Sequence, residues 1–196
     1  MRRAVSVVTA LLIPITVLAA GPRPKPEETV NNPPFAHWSL FPKGTRVTQR
    51  EVVTLADGST IQHDITATLI EKTKEKVVVE TAIKITGTGS AGSGAVDNQT
   101  TVTTYPAKVK MSAADTPREA MESVTEGTEQ VDVKGKKVDA EWVEAVMKNG
   151  DETVIEKMWT ARDIPGGIIK RTIIRKKGDK VTSQSTLEMI EFAKGS

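Results

Sequence analysis

Turn signals recur along this chain at a spacing that leaves little room for long helices. Ala56-Asp57-Gly58-Ser59, Gly135-Lys136, Asn149-Gly150, Pro165-Gly166-Gly167 and Lys177-Gly178-Asp179 cut the stretch after Thr45 into short β-prone runs. Glycine and asparagine reach the left-handed backbone that tight reversals need, so a signal of this kind between two such runs reads as a hairpin. Thr45 to Leu55 and Thr60 to Ile70 form the first pair. Lys76 to Thr86 follows, with Val77, Val79, Thr81, Ile83 and Ile85 alternating as in a strand with one buried face.

The centre of the pattern is Met158 to Lys170, a strand carrying Trp159, then the Pro165-Gly166-Gly167 reversal, then a second strand. Thr153 to Ala161, Ile168 to Arg175 and Val181 to Phe192 complete an antiparallel series. Val138 to Lys148 is ambiguous. Ala140, Val143, Val146 and Met147 sit at helical spacing, but flanking reversals at Gly135-Lys136 and Asn149-Gly150 favour a strand. Ser112 to Thr125 is expected to hold a two-turn helix, with Thr116 as cap, Pro117 in the first turn, Glu119 and Glu122 at the positive end of the dipole and Gly127 closing it.

The fold class expected is therefore mainly β: one large curved antiparallel sheet or open barrel of about nine strands, with one short helix lying in its mouth. A β-sandwich is the alternative. Several strands break strict alternation, notably at Ile168-Ile169 and Ile173-Ile174, which puts apolar groups on both faces. Burial on both sides explains that, and so does a lipid-sized cavity on one side.

Residues 1–20 stand apart from this pattern. Arg2-Arg3, an apolar run from Ala4 to Val17 and the small residues Leu18-Ala19-Ala20-Gly21 have the layout of a cleaved secretory signal, so the protein is expected to be exported to the periplasm or the exterior, with no transmembrane segment after cleavage. No cysteine follows the small residues, so a bacterial lipid anchor is not expected. Residues 21–34, rich in proline and charge, read as an extended linker, and residues 35–196 as a single β-rich domain.

Charge and cysteine usage narrow the function classes. The chain has 27 basic and 25 acidic side chains, and the signal holds two of the basic ones and no acidic one, so the mature chain is formally neutral. A nucleic-acid binder needs a net basic face to displace counterions, so no nucleic-acid partner is expected. Lys170-Arg171 with Arg175-Lys176-Lys177 is the best basic patch and reads as the charged guard of an edge strand. The chain lacks cysteine, which removes disulfides, zinc–thiolate sites and thiol nucleophiles.

Motifs for catalysis are equally thin. Gly87-Thr88-Gly89-Ser90-Ala91-Gly92 matches a phosphate-loop pattern by letters, but a strand follows it instead of the required helix, so it reads as a flexible hairpin loop. Asn98-Gln99-Thr100 is a sequon by pattern only. There is no Gly-x-Ser-x-Gly, no His-Glu-x-x-His and no calcium-loop spacing. His63 beside Asp64 is the nameable dyad, while Glu141 with Glu144 and Asp151 with Glu152 are carboxylate pairs of unfixed separation. No enzyme activity, catalytic residue, metal site or cofactor is expected.

Phe35-Ala36-His37-Trp38 with Phe41-Pro42-Lys43-Gly44-Thr45, the segment Val131 to Val138, and Trp159-Thr160 leading to Ile164 through Lys170 resemble uncharacterised secreted proteins of planctomycete-type bacteria. There an aromatic-Gly-Thr opening, a Gly-Lys hairpin and a Trp strand before a Pro-Gly-Gly turn come in this order. The resemblance spans most of the mature chain, implies a secreted β-rich domain, supports the strand at Val138 to Lys148 and implies no activity. In many members a cysteine follows the Gly-Lys hairpin. Asp139 or Ala140 stands in that region here, so any role of that thiol is absent. More loosely, the plan is similar to the LolA-like open barrels of periplasmic lipoprotein carriers, in fold only.

The function expected is a non-catalytic protein of the cell envelope that binds a lipid, another hydrophobic ligand or an extended one on its open sheet. The alternative is a structural or protein-interaction module with an envelope protein as partner. Trp38, Phe41, Trp142, Met158, Trp159, Pro165, Gly166 and Gly167 are the candidate ligand-lining or structural residues. Phe35, Trp38 and Phe41 are expected to plug an open end of the core. Met111, Met121, Met147, Met158 and Met189 read as core filler, since methionine adapts to irregular gaps.

Overall fold

The computed structural model describes residues 29–88, 97–110 and 121–196. The first twenty residues, the Gly-rich loop after Thr88 and the cap at Thr116-Pro117 lie outside them. In chain order the elements are β1 (Thr29–Asn31), α1 (Pro33–Trp38), β2 (Arg46–Leu55), β3 (Thr60–Lys72), β4 (Lys76–Thr88), β5 (Asp97–Pro106), β6 (Lys108–Lys110), β7 (Met121–Val133), β8 (Lys136–Asn149), β9 (Glu152–Thr160), β10 (Ile168–Lys177) and β11 (Lys180–Ala193).

Nine of the strands form one antiparallel sheet in the order β5-β4-β3-β2-β11-β10-β9-β8-β7. The expected curved open sheet is thus the fold observed. All nine lie in this sheet, which excludes a sandwich, and β5 and β7 remain its two outer strands, so it does not close into a barrel. The ambiguous segment from Val138 to Lys148 is strand β8, paired along its length with β7 and β9.

Three expectations are corrected. Residues 121–125 are not helical: they begin β7, pairing from Met121 opposite Met147 to Val133 opposite Lys136. Local cap chemistry yields there to a long ladder of β-branched and polar residues against β8. Gly127 does not close a helix but lies opposite Trp142, and a Cβ on it would stand 2.7 Å from the indole. Secondly, residues 29–34 are not an extended spacer. β1 pairs with β6, and Pro33-Pro34 open α1, where proline's missing N–H costs nothing. Thirdly, β10 is an interior strand, so the basic residues from Lys170 to Lys177 guard no edge.

The sheet has an inner face, the one shared by Val47, Leu69, Val77, Val79 and Met189. These residues form a single cluster with Trp38, Phe41, Ile164 and Ile169, against which Phe35, Ala67 and Tyr105 pack. The three aromatics near the N-terminus therefore close one end of the core, as expected. Bulges at Leu69/Glu71, Ile168/Lys170 and Met189/Glu191 all fall toward this end, where they bend the strands and increase their twist.

The β9–β10 connection completes the closed end. Ala161 donates to Gly167 and Gly167 donates to Ile164, folding Ile164 and Pro165 inward. Gly166 and Gly167 have φ of +74° and +81°, and an added Cβ would meet Trp38 at 3.3 Å or His37 at 2.7 Å respectively. The Pro-Gly-Gly sequence is thus a seat for α1 as well as a reversal. His37 lies half-buried there, and that burial pushes its pKa down against the opposing pull of Glu141.

Candidate ligand-binding face

The strand register arranges the rest of the inner face in rows, because directly opposed residues share a face. One row reads Ile85, His63, Glu51, Leu187, Arg171, Met158 and Val143 from β4 to β8. The next, farther from α1, reads Ile61, Val53, Ser185, Ile173, Glu156 and Ala145. Beyond that come Leu55, Ser183, Arg175, Val154 and Met147. A polar belt therefore crosses the sheet between the packed end and a mainly apolar strip.

Glu51 is the hub of the belt. Its carboxylate accepts from His63 Nδ1 at 3.0 Å, from Ser185 Oγ at 2.7 Å and from Arg171 Nη2 at 3.3 Å. The Arg171 contact passes over Leu187 of the intervening strand β11. The hydrogen bond from His63, with those from Ser185 and the Arg171 charge, holds the Glu51 carboxyl down to about 2 against the opposing effect of burial.

Arg171 is less well served. It is 8% exposed, its Nε is buried with no hydrogen-bond partner, and among the described residues its single hydrogen bond is the one to Glu51. A guanidinium carries five N–H donors, and leaving one buried and unpaired costs about 1–3 kcal/mol. Glu156, diagonal to it on β9, has its pKa raised by burial, with Arg171 and Arg175 pulling the other way.

The strip beyond the belt is apolar and incompletely covered. Val53, Ile61, Ile173, Val154 and Met147 are all half-buried, on the face whose packed end is nearly solvent-free.

The sequence-predicted residues divide between the two faces. Trp38, Phe41, Pro165, Gly166 and Gly167 belong to the packed end, and Met158 lies on the inner face opposite Arg171. Trp142 and Trp159 are opposed in the other phase of β8 and β9, where Lys157 stands 4.1 Å and 4.7 Å from their ring centres and Trp159 Nε1 donates to Glu129; Trp159 is nevertheless buried in the core cluster with Trp38 and Ile169, and Trp142 packs against it. They do not line the strip. The proposed dyad of His63 with Asp64 is not assembled either: adjacent strand residues point to opposite faces, and Asp64 pairs with Arg50 at 2.7 Å while His63 pairs with Glu51. Ser185 bonds the carboxylate and not the imidazole, so the three groups do not form the hydrogen-bond relay that activates a serine.

Glu51, Glu156 and Ser185 were not singled out from sequence, and Arg171 was read only as part of a basic patch, although a signal existed. Glu51, His63, Arg171 and Glu156 each occupy the inward, otherwise largely apolar phase of their strands, as in Ile61-His63-Ile65, Ile169-Arg171-Ile173 and Val154-Glu156-Met158. A charged side chain in that phase must be paired or functional.

No protein-family model matches the chain, and no curated protein matches it. Among solved structures it is similar to a protein described as exported, with a YmcC-like fold, from Bacteroides fragilis, at 12% identity and a TM-score of 0.42, over 79% of this chain and 97% of that one. A domain described as an outer-membrane lipoprotein-sorting protein from Vibrio parahaemolyticus gives 7% identity and 0.27 over 78% and 85%. A LolA superfamily protein from Nitrosomonas europaea gives 9% and 0.25 over 83% and 91%. Among the described residues no helix is long and apolar enough to cross a membrane, and no group of three or more metal-ligating side chains is found.

Proposed function

We propose that this is an exported, non-catalytic protein of the cell envelope that binds a hydrophobic ligand on the inner face of its open sheet. One observation carries the reading: the half-buried strip of Val53, Ile61, Ile173, Val154 and Met147 continues the face that α1 closes at its other end. Covering apolar surface is favourable by roughly 25 cal/mol per Å², so such a strip is a ready seat for a hydrocarbon chain. The signal-like residues 1–20 support export, and the resemblance to secreted planctomycete-type proteins agrees with it.

The test is the mass of the protein after export and purification without detergent, compared under native and denaturing conditions. Excess native mass that extracts into organic solvent, or binding of a hydrophobic fluorescent probe, is the expected result. Equal masses and no probe binding overturn the proposal.

A second reading, pairing with an envelope protein through a sheet edge, is favoured by β5. It is an outer strand, its run from Asn98 to Tyr105 has no charged residue, and Val102 is 59% exposed. Edge strands are normally protected by charge. Loss of a captured partner in a Val102→Lys variant, with ligand mass unchanged, would select this reading.

A further inference from the structure

Arg171 is an expensive group for a ligand-free sheet to carry. It lies between Leu187 and Met158 on the inner face, with Ile173 two residues beyond on the same strand. A side chain there that served only to neutralise Glu51 would need one donor, and His63 and Ser185 already serve that carboxylate. The arginine nevertheless leaves its Nε buried and unpaired. An acceptor for that N–H would approach from the inner face, where the apolar strip begins.

Resting on the hydrophobic-ligand reading above, we propose that Arg171 anchors the anionic oxygen head of an amphiphile, a carboxylate or a phosphate, whose hydrocarbon chain lies along Ile173, Val53 and Ile61. The planar guanidinium fork matches two oxygens of such a head while Nη2 keeps its bond to Glu51. Glu156 faces the same place from β9. Burial raises the pKa of its carboxyl, with Arg171 and Arg175 pulling the other way. Arg175, one turn of the strand pleat beyond Ile173, adds positive charge on the same face, so a cationic head is disfavoured.

The experiment uses the exported protein after extraction of bound lipid. Displacement of a hydrophobic fluorescent probe is measured with four ligands of one chain length: oleate, oleoyl lysophosphatidate, oleyl alcohol and oleylamine. Oleate or lysophosphatidate is expected to bind roughly ten- to hundredfold tighter than the alcohol, as a charge-assisted hydrogen bond implies. The tighter of the two identifies carboxylate or phosphate as the head. Arg171→Met should remove that preference, while Arg171→Lys should keep part of it.

Equal affinity of acid and alcohol for the native protein overturns the anchor while leaving the hydrophobic-ligand reading in place, and this comparison needs no variant to fold. A preference that survives in a folded Arg171→Met protein also overturns it. Failure of all four ligands to displace the probe, or of the probe to bind, overturns both proposals together.

Discussion

The two ends of the inner face are built from the same strands with the same alternation, yet they differ in what covers them. At the α1 end Trp38 and Phe41 are each 5% exposed and Leu69 and Val77 are fully buried. Farther along β2, β3 and β10, Val53, Ile61 and Ile173 stay half-buried. Between them runs the belt of His63, Glu51 and Arg171. The difference is supplied by a six-residue helix and the loop from Ala161 to Gly167 that seats it. Strand patterning makes an apolar face, and a separate element decides whether that face becomes core or surface.

The contrast predicts unequal costs for similar truncations. Trp38→Ala should lose about 3–5 kcal/mol in urea denaturation, because the indole joins α1, Gly166 and the cluster beneath it. Ile61→Ala, on the same face but half-covered, should lose only about 1 kcal/mol. Equal losses would show that both ends are closed core, and would remove the basis for a ligand strip.

The belt should show itself as acid sensitivity. Glu51 titrates at about 2 in the folded protein against 4.5 for an ordinary glutamate, so it contributes stability above pH 4.5 that is lost as pH falls toward 2. A shift of that size corresponds to about 3 kcal/mol. Glu51→Gln is therefore expected to flatten the acid limb of a stability–pH profile across that window, and an unchanged limb would refute the hub role. Glu156 has the opposite sign. Burial raises its pKa, so the folded state is penalised as pH rises through that value, and Glu156→Gln should stabilise the protein at neutral pH and not at low pH.

Smaller effects sharpen the account of the α1 seat. Gly167→Ala places a methyl 2.7 Å from His37 at positive φ and should cost about 2 kcal/mol in thermal or urea unfolding. Gly150→Ala has positive φ but open space, and should cost about 1 kcal/mol from strain alone. On the outer face Asp64→Asn, which breaks the exposed pair with Arg50, should leave the denaturation midpoint within error. Its contrast with Glu51, opposite the adjacent residue His63, measures how strongly the two faces differ.

Much of the fold was legible because hairpins are local. Asp57-Gly58, Gly135-Lys136, Asn149-Gly150 and Gly178-Asp179 each fall between strands that pair with each other. The helix expected over Ser112 to Thr125 fails over its described residues, 121–125, for the same reason. Thr116, Pro117 and Glu119 spell out a helix start, but from Met121 the chain gains a full ladder with β8. The site was less legible. Trp142 and Trp159 drew attention by size, yet Trp159 belongs to the packed core cluster, Trp142 packs against it, and both flank Lys157 away from the strip. Inward charges at Glu51, Arg171 and Glu156 were the better signal.

The sequence by itself determined a mainly β chain, nearly all of its strands and the alternation that gives each strand two unlike faces, because turn chemistry and period-two patterning act over a few residues. Only the tertiary structure decided that β2 and β11 close the gap between the two halves of the sheet, that α1 covers one end of the inner face, and that Arg171 reaches Glu51 over β11. Those depend on pairing between residues more than a hundred positions apart, and no local pattern carries that information.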